Sequence, residues 1–503
     1  MNKIKMIAIS VFAVVTSAYA QNETDALKYT ETFLGGTARS QGAAGAFGAI
    51  GADFSSTMIN PAGLGLYRRN EATFGMGIEY NNSKATYLGN TSTDFRGNFN
   101  IPTWGLVGTK VYSEMGEDRK VGLVSWSLAA GMNRVSSYQS NIKFNGINNQ
   151  NSILDYFKYS ANSAGDNANN IIDGFNSSQN PYANSPGAMA YNFYLLDTAA
   201  NATTYTSLKD GVAGARFLQQ QQMQTRGAAN EFNISSGMNL GNIVYLGAGL
   251  IMKYAYSQTD ILYSENAQGT VPNYTSTSFR QEITSNGSGV SGRFGILVRP
   301  LDWLKLGMAA QTPSRMYMRD NYKYTLNTTN FGQARSFDPN RFDFFDYQVV
   351  TPSKLTFSGA ATILSRGFIS VDYETIDYSQ MSLTADNYFF TEENNTIANT
   401  MKRVGNLRVG AEVKIADYYR LRAGYAQYEN AYKNTGGEDL TRYAITGGIG
   451  LLVDRIFVDV AVVNSYGKQF ISPYNTGDAT NPAPAAVNSY SNYNFVVSGG
   501  IRF

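Results

Sequence analysis

Apolar and polar residues alternate along most of this chain. In Glu71–Tyr80 the even positions are Ala72, Phe74, Met76, Ile78 and Tyr80, and the odd positions are Glu71, Thr73, Gly75, Gly77 and Glu79. A period of two marks a strand with one greasy face. Leu407–Ile415 repeats it, with Leu407, Val409, Ala411, Val413 and Ile415 set against Arg408, Gly410, Glu412 and Lys414. In Tyr419–Tyr425, Leu421 and Ala423 oppose Arg420, Arg422 and Gly424. The pattern predicts fourteen strands, at about 71–80, 101–112, 120–131, 231–240, 243–257, 285–298, 303–315, 352–363, 367–379, 404–414, 418–428, 441–452, 456–466 and 491–503.

A soluble sandwich also alternates, so strand count and loop lengths carry the distinction. Short connections include Gly241-Asn242, Arg299 to Asp302, Ser365-Arg366 and Ala416-Asp417. Long ones fall at about 81–100, 132–230, 258–284, 316–351, 380–403, 429–440 and 467–490. An even count with tight turns at one end and long loops at the other is the bacterial outer-membrane pattern. The expectation is an all-β, transmembrane antiparallel barrel of about 14 strands, with both termini at the tight-turn, periplasmic end. The longest loop, about 132–230, is expected to carry helices at Ile153–Tyr159 and Gly211–Gln224. It is either a cap over the outer mouth or a variable surface loop.

Composition fits this class. Charged residues are 16% of the 503, against a usual value of about 25%. Gly (49), Tyr (35) and Phe (28) are abundant, as short strands with aromatic interface girdles require. Mean hydropathy is -0.27. Residues 1–20 read as a secretory leader: Lys3 and Lys5, an apolar Met6–Val15, then Ala18-Tyr19-Ala20 as the cleavage site before Gln21. Its removal leaves 38 residues of each sign, a balance that gives no footing for nucleic acid. There is no Cys and no His, so a Ser-His-Asp triad, a Cys-His pair and the usual zinc and haem ligands are missing. No catalytic residues, metal site or cofactor are expected, and the chain is not read as an enzyme.

Between leader and first strand lies Gly35–Arg69, rich in Gly and Ala. Phe33, Phe47, Ile50 and Phe54 are too apolar to leave in water, and Gly35, Gly36, Gly42, Gly45, Gly48 and Gly51 permit close packing and left-handed turns. The segment ends in Asn60-Pro61-Ala62-Gly63, where Asn suits a helix cap and Pro a first helical position. Here the sequence resembles the outer-membrane transporters of hydrophobic compounds, the long-chain fatty-acid and toluene channel family. Those proteins open with a small-residue hatch ending in Asn-Pro-Ala-Gly. Ile101-Pro102-Thr103-Trp104-Gly105, Leu304-Lys305-Leu306-Gly307 and Leu421-Arg422-Ala423-Gly424 resemble it too. Asp53-Phe54-Ser55-Ser56 departs from it, since the family more often shows paired acidic residues there.

The resemblance implies three regions: the leader at 1–20, a hatch inside the lumen at 21–70 and the barrel at 71–503. It implies a Gram-negative outer-membrane location and diffusive uptake of fatty acids, other lipids or hydrocarbons. The hatch would gate through Gly45, Asn60, Pro61, Ala62 and Gly63. Ligand would leave sideways beside an inward kink in the third strand, here about Lys120 to Gly131. Candidate ligand-contacting residues are Phe33, Phe47, Phe54, Trp126, Arg408 and Arg422. Other charges expected on inward faces are Glu79, Lys253, Arg293, Lys305, Asp372, Glu374, Glu412, Arg420, Arg442, Asp459 and Arg502, most of them as ion pairs filling the barrel. Expected partners are hydrophobic small molecules, outer-membrane lipid and the insertion machinery that reads a last strand ending in Phe503; the protein is expected to be a monomer. The alternative is a barrel that partners a protein-secretion apparatus as a shuttle.

Overall fold

The structure, a computed structural model, describes residues 22–112, 122–165, 167–177, 180–198, 204–364 and 366–503. The leader, Gln21, Lys120, Val121 and Ser365 lie outside the described residues. The alternating stretches form fourteen antiparallel strands. They are β1 Glu71–Tyr87, β2 Asn90–Asn100 with Thr103–Val111, β3 Leu123–Ser137 with Ser140–Asn148, β4 Phe217–Leu240, β5 Val244–Ala267, β6 Tyr274–Leu301 and β7 Leu304–Gln311 with Arg315–Asn330. The rest are β8 Asp343–Val350 with Lys354–Ile363, β9 Gly367–Asp377, β10 Arg403–Lys414, β11 Tyr419–Tyr428, β12 Arg442–Val453, β13 Ile456–Ile471 and β14 Ala486–Arg502. β1 pairs with β14 from Glu71↔Arg502 to Thr86↔Val487, which closes the barrel.

The outer surface explains the alternation. On β1, Phe74, Met76, Ile78 and Tyr80 are exposed, and Asn82, Lys84 and Thr86 continue the same face. On β5, Leu250, Met252, Tyr254 and Tyr256 give way to Gln258 and Asp260. Each face is apolar, ends in Tyr and then turns polar, as a strand leaving the bilayer does. Trp303, Tyr418, Tyr419 and Phe503 form a second exposed aromatic belt at the tight-turn end. Among the described residues no helix is long and apolar enough to cross a membrane.

Prolines interrupt the ladders because they lack an N–H. Ile101-Pro102 breaks β2, and Thr312-Pro313-Ser314 and Thr351-Pro352-Ser353 break β7 and β8 side by side. Thr351 N–H donates to the Ser314 carbonyl at 2.8 Å, and Ser314 N–H to Thr351 Oγ1 at 3.0 Å.

Three expectations are corrected. The 81–100 stretch is not a loop: β1 and β2 run on into a hairpin turning at Leu88-Gly89, both at positive φ, and most of 258–284 and 316–351 and both ends of 467–490 are likewise strand. Gly211–Gln224 is not a helix, for Gln219–Gln222 lie in β4. Above the bilayer the outer face of a strand no longer meets lipid, so the apolar alternation that reveals strands fades. Finally, only the start of β1 and the end of β14 meet at the tight-turn end. Helix α1 (Glu23–Thr30) packs near β8 and near helix Thr391–Thr400, which belongs to the long β9–β10 connection.

The small-residue segment fills the lumen. After α1 come α2 (Ala38–Gly42), α3 (Ser56–Ile59) and a 3-10 turn at Pro61–Leu66. Asn70 then exchanges two backbone hydrogen bonds with Phe503. At the other end α4 (Ile153–Ala164), α5 (Ala168–Asn176) and α6 (Pro186–Asn192) make a cap. Leu154, Phe157 and Met189 pack there on Phe217, Phe279 and Tyr324 of the barrel. The predicted helix at Ile153 is therefore present.

Candidate functional site

The plug and the wall meet through backbone. Ala38 N–H donates to Ser498 Oγ at 2.9 Å, Ala44 N–H to Thr446 Oγ1 at 3.1 Å and Gly48 N–H to Asp372 Oδ2 at 3.1 Å. Such contacts need a wall without side chains at facing points. A Cβ added at Gly424 would stand 2.6 Å from the Ala44 nitrogen, at Gly131 2.6 Å from the Phe54 ring, and at Gly237 2.6 Å from the Gly65 nitrogen. Gly105, Gly247, Gly295 and Gly410 face the plug as closely. Gly45 turns the plug chain at φ +68, and a Cβ there would meet Leu34 at 3.0 Å.

The Asn60 motif is a junction. Its side chain accepts from Ala62 N–H at 3.1 Å and caps the 3-10 turn, with Pro61 at the first position. The same amide donates to the Gly48 carbonyl at 2.8 Å and to the Ile296 carbonyl of β6 at 3.3 Å. Gly63 lies against Gly51, where a Cβ would come within 2.8 Å of the Gly51 Cα. Ala62 is fully buried.

Ion pairs surround these contacts. Arg422 joins Glu412 at 2.7 Å and Asp459 at 2.6 Å, and Arg39 of the plug reaches Glu412 at 3.3 Å. Arg293 pairs with Glu231 at 3.2 Å and donates to the Thr57 carbonyl at 2.7 Å. A cavity of about 40 Å³ lies between Phe33, Met58 and Ile59 of the plug and a wall holding Arg293, Lys354 and Arg408. It has room for a water or two. Arg408 stands 3.8 Å from Asp372 and 3.9 Å from Glu374, and its buried Nε has no hydrogen bond among the described residues.

The predicted site residues separate into groups. Phe47 packs on Phe368 with centroids 5.7 Å apart, and Phe54 is buried under Gly105 and Gly131. Phe33 meets Tyr428, and the Arg442 guanidinium sits 3.5 Å from its ring centroid. Arg408 faces the cavity, whereas Arg422 is enclosed by its two carboxylates. Trp126 stands apart on the outer face of β3, its indole donating to Ser236 at 2.7 Å. Glu231 and Lys354 were missing from the expected inward charges. Glu231 opens β4's apolar register, and Lys354 follows Pro352 before its strand's alternation is established.

Among the described residues, the strand ladders of the wall are continuous except beside β3. The β2–β3 ladder runs from Val111↔Ser125 to Thr103↔Asn133 and stops at Pro102. β3 breaks at Tyr138-Gln139, beyond the expected Gly131, and its upper part leans inside β1, placing Ile142 and Phe144 on Ala85 and Tyr87. Side chains bridge the seam: Asn81 donates to the Gln139 carbonyl at 2.7 Å, and Asn141 to the Phe95 carbonyl at 3.1 Å.

The overall fold is matched among solved structures. A Pseudomonas aeruginosa FadL homologue superposes with a TM-score of 0.56 at 12% identity, over 94% of this chain and 100% of that one. This chain has the FadL/TodX fold. The P. putida toluene transporter TodX superposes with a TM-score of 0.54 at 12% identity, over 94% of this chain and 99% of that one. No family model and no curated protein matches the sequence. The exposed apolar belt around the barrel fits a wall set in a lipid bilayer. Its structural neighbours are transporters and channels, not enzymes.

Proposed function

We propose that this barrel takes up hydrophobic compounds across the outer membrane, by plug rearrangement and sideways release at the β2–β3 seam. The observation that carries this reading is one wall interruption beside a lumen that is otherwise plugged. A straight pore is blocked by residues from Glu23 to Leu66. A greasy molecule gains roughly 25 cal/mol per Å² by staying out of water, so release toward lipid is favoured over release into periplasm. Gly45, Asn60, Pro61, Ala62 and Gly63 set the plug's shape. Phe33 and Arg408 face the cavity, and the underused Arg408 fork favours a compound carrying a carboxylate, such as a long-chain fatty acid, over a neutral hydrocarbon.

The test is uptake of labelled oleate and of toluene by cells lacking their own transporter, with barrel amount checked by heat-modifiable gel mobility. Oleate uptake above empty cells, reduced in Arg408→Gln, is the expected result. A second reading, a shuttle partner of a secretion apparatus, draws on the small size and polar lining of the cavity. No uptake of either compound, with loss of exported surface proteins on deletion, would establish it instead.

A further inference from the structure

The two rims of the barrel handle charge differently. Near the outer Tyr belt, exposed or half-buried cations are matched by carboxylates: Arg280–Asp260 at 2.5 Å, Arg319–Asp346 at 2.6 Å and Lys323–Glu282 at 3.2 Å. Among the described residues, the exposed or half-buried cations at the tight-turn end include Arg68, Arg69, Lys110, Arg299, Arg366, Lys414 and Arg455, against Asp302, Asp417 and Asp454. Arg299–Asp302 and Lys414–Asp417 pair within their own turns, with the two carboxylates 98% and 87% exposed. Arg69, Arg366 and Arg455 have no ion pair among the described residues.

We propose that this rim is a ring that binds anionic phospholipid head groups of the inner leaflet. Position supports a leaflet as the partner. The cations adjoin the Trp303, Tyr418, Tyr419 and Phe503 belt, where head groups must lie. They also recur around the circumference: before β1 and at the β6–β7, β8–β9, β10–β11 and β12–β13 turns. The uncharged Gly241-Asn242 turn is reached by Arg68, which donates to Asn242 Oδ1 at 2.5 Å. A globular acidic partner would touch one side, whereas a surrounding leaflet touches all of them. Cations at this depth attract anionic lipid, each strengthening binding roughly five-fold, and added salt weakens the effect.

The test is native mass spectrometry of the full-length barrel in detergent, titrated with phosphatidylglycerol or phosphatidylcholine. The variants are the triple change Arg69→Gln, Arg366→Gln, Arg455→Gln and the outer-rim control Arg319→Gln, each checked for heat-modifiable folding. Wild type and the control should retain phosphatidylglycerol preferentially. The triple variant should lose roughly five-fold of that preference per charge removed. Equal retention of both lipids by wild type, a triple variant with wild-type preference, or an equal loss in the control would overturn the proposal.

Discussion

The plug and the cap close opposite ends of one lumen by different means. The plug meets the wall closely across glycines, with Gly131, Gly237 and Gly424 leaving no room for a Cβ. The cap meets it through side chains, with Phe157 against Phe279 at 5.4 Å between centroids. Beneath the cap, Glu265 accepts from Ile153 N–H at the start of α4 and from Gln219, Tyr263 and Tyr274. A glycine interface is intolerant of any added atom. An aromatic interface absorbs conservative change but depends on its few buried polar anchors. The plug's fit is therefore the less tolerant of added bulk, and the cap's the more dependent on its buried polar anchors.

Added bulk should separate the two most sharply. Gly424→Leu should expel the plug, since overpacking alone costs about 1–3 kcal/mol and backbone stands in the way. The cell should then admit hydrophilic antibiotics it normally excludes, while Phe157→Leu in the cap should not change that. Unaltered antibiotic sensitivity in Gly424→Leu would remove the distinction. Next, Glu265→Ala should loosen the cap by about 3 kcal/mol, because several buried donors lose their acceptor. Amide exchange in α4 should quicken while exchange in α2 stays unchanged. Asn60→Ala should cost the plug about 1 kcal/mol as a lost cap, and Pro61→Ala somewhat less. Both variants should insert normally and show altered uptake. The smallest effect is on pH. Burial raises the Asp210 carboxyl, but the Lys158 hydrogen bond and the Ser207 N–H outweigh it and hold it below the usual aspartate range. Its contribution is present above the ordinary aspartate pKa and fades as pH falls through the lowered value. A spin label attached at Ser163→Cys on α4 should therefore become more mobile only in strong acid.

The alternation along Glu71–Tyr80 was enough to place strands, because lipid on one side and plug or ion pairs on the other impose opposite chemistry on alternate residues. The same cause made Arg422, Glu412 and Asp459 legible as inward charges. Where the chain rises above the bilayer that contrast ends, and Gln219–Gln222 gave no strand pattern although they continue β4. The cap's packing was illegible for another reason: Phe157, Phe279 and Tyr324 are distant in sequence and share no period. The wall glycines were visible in Leu304-Lys305-Leu306-Gly307, yet only the three-dimensional match with Gly48 shows why a side chain is excluded there.

The course of the N-terminal segment also constrains the order of assembly. It descends from α1 near the long β9–β10 connection to Asn70, where the first and last strands zip together. A ring already sealed at β1–β14 would have to be threaded by a folded chain. The segment also bonds to the closing strands themselves, Ala38 to Ser498 and Asn70 to Phe503, so a sequence change that slows its folding should delay the final settling of the β1–β14 seam.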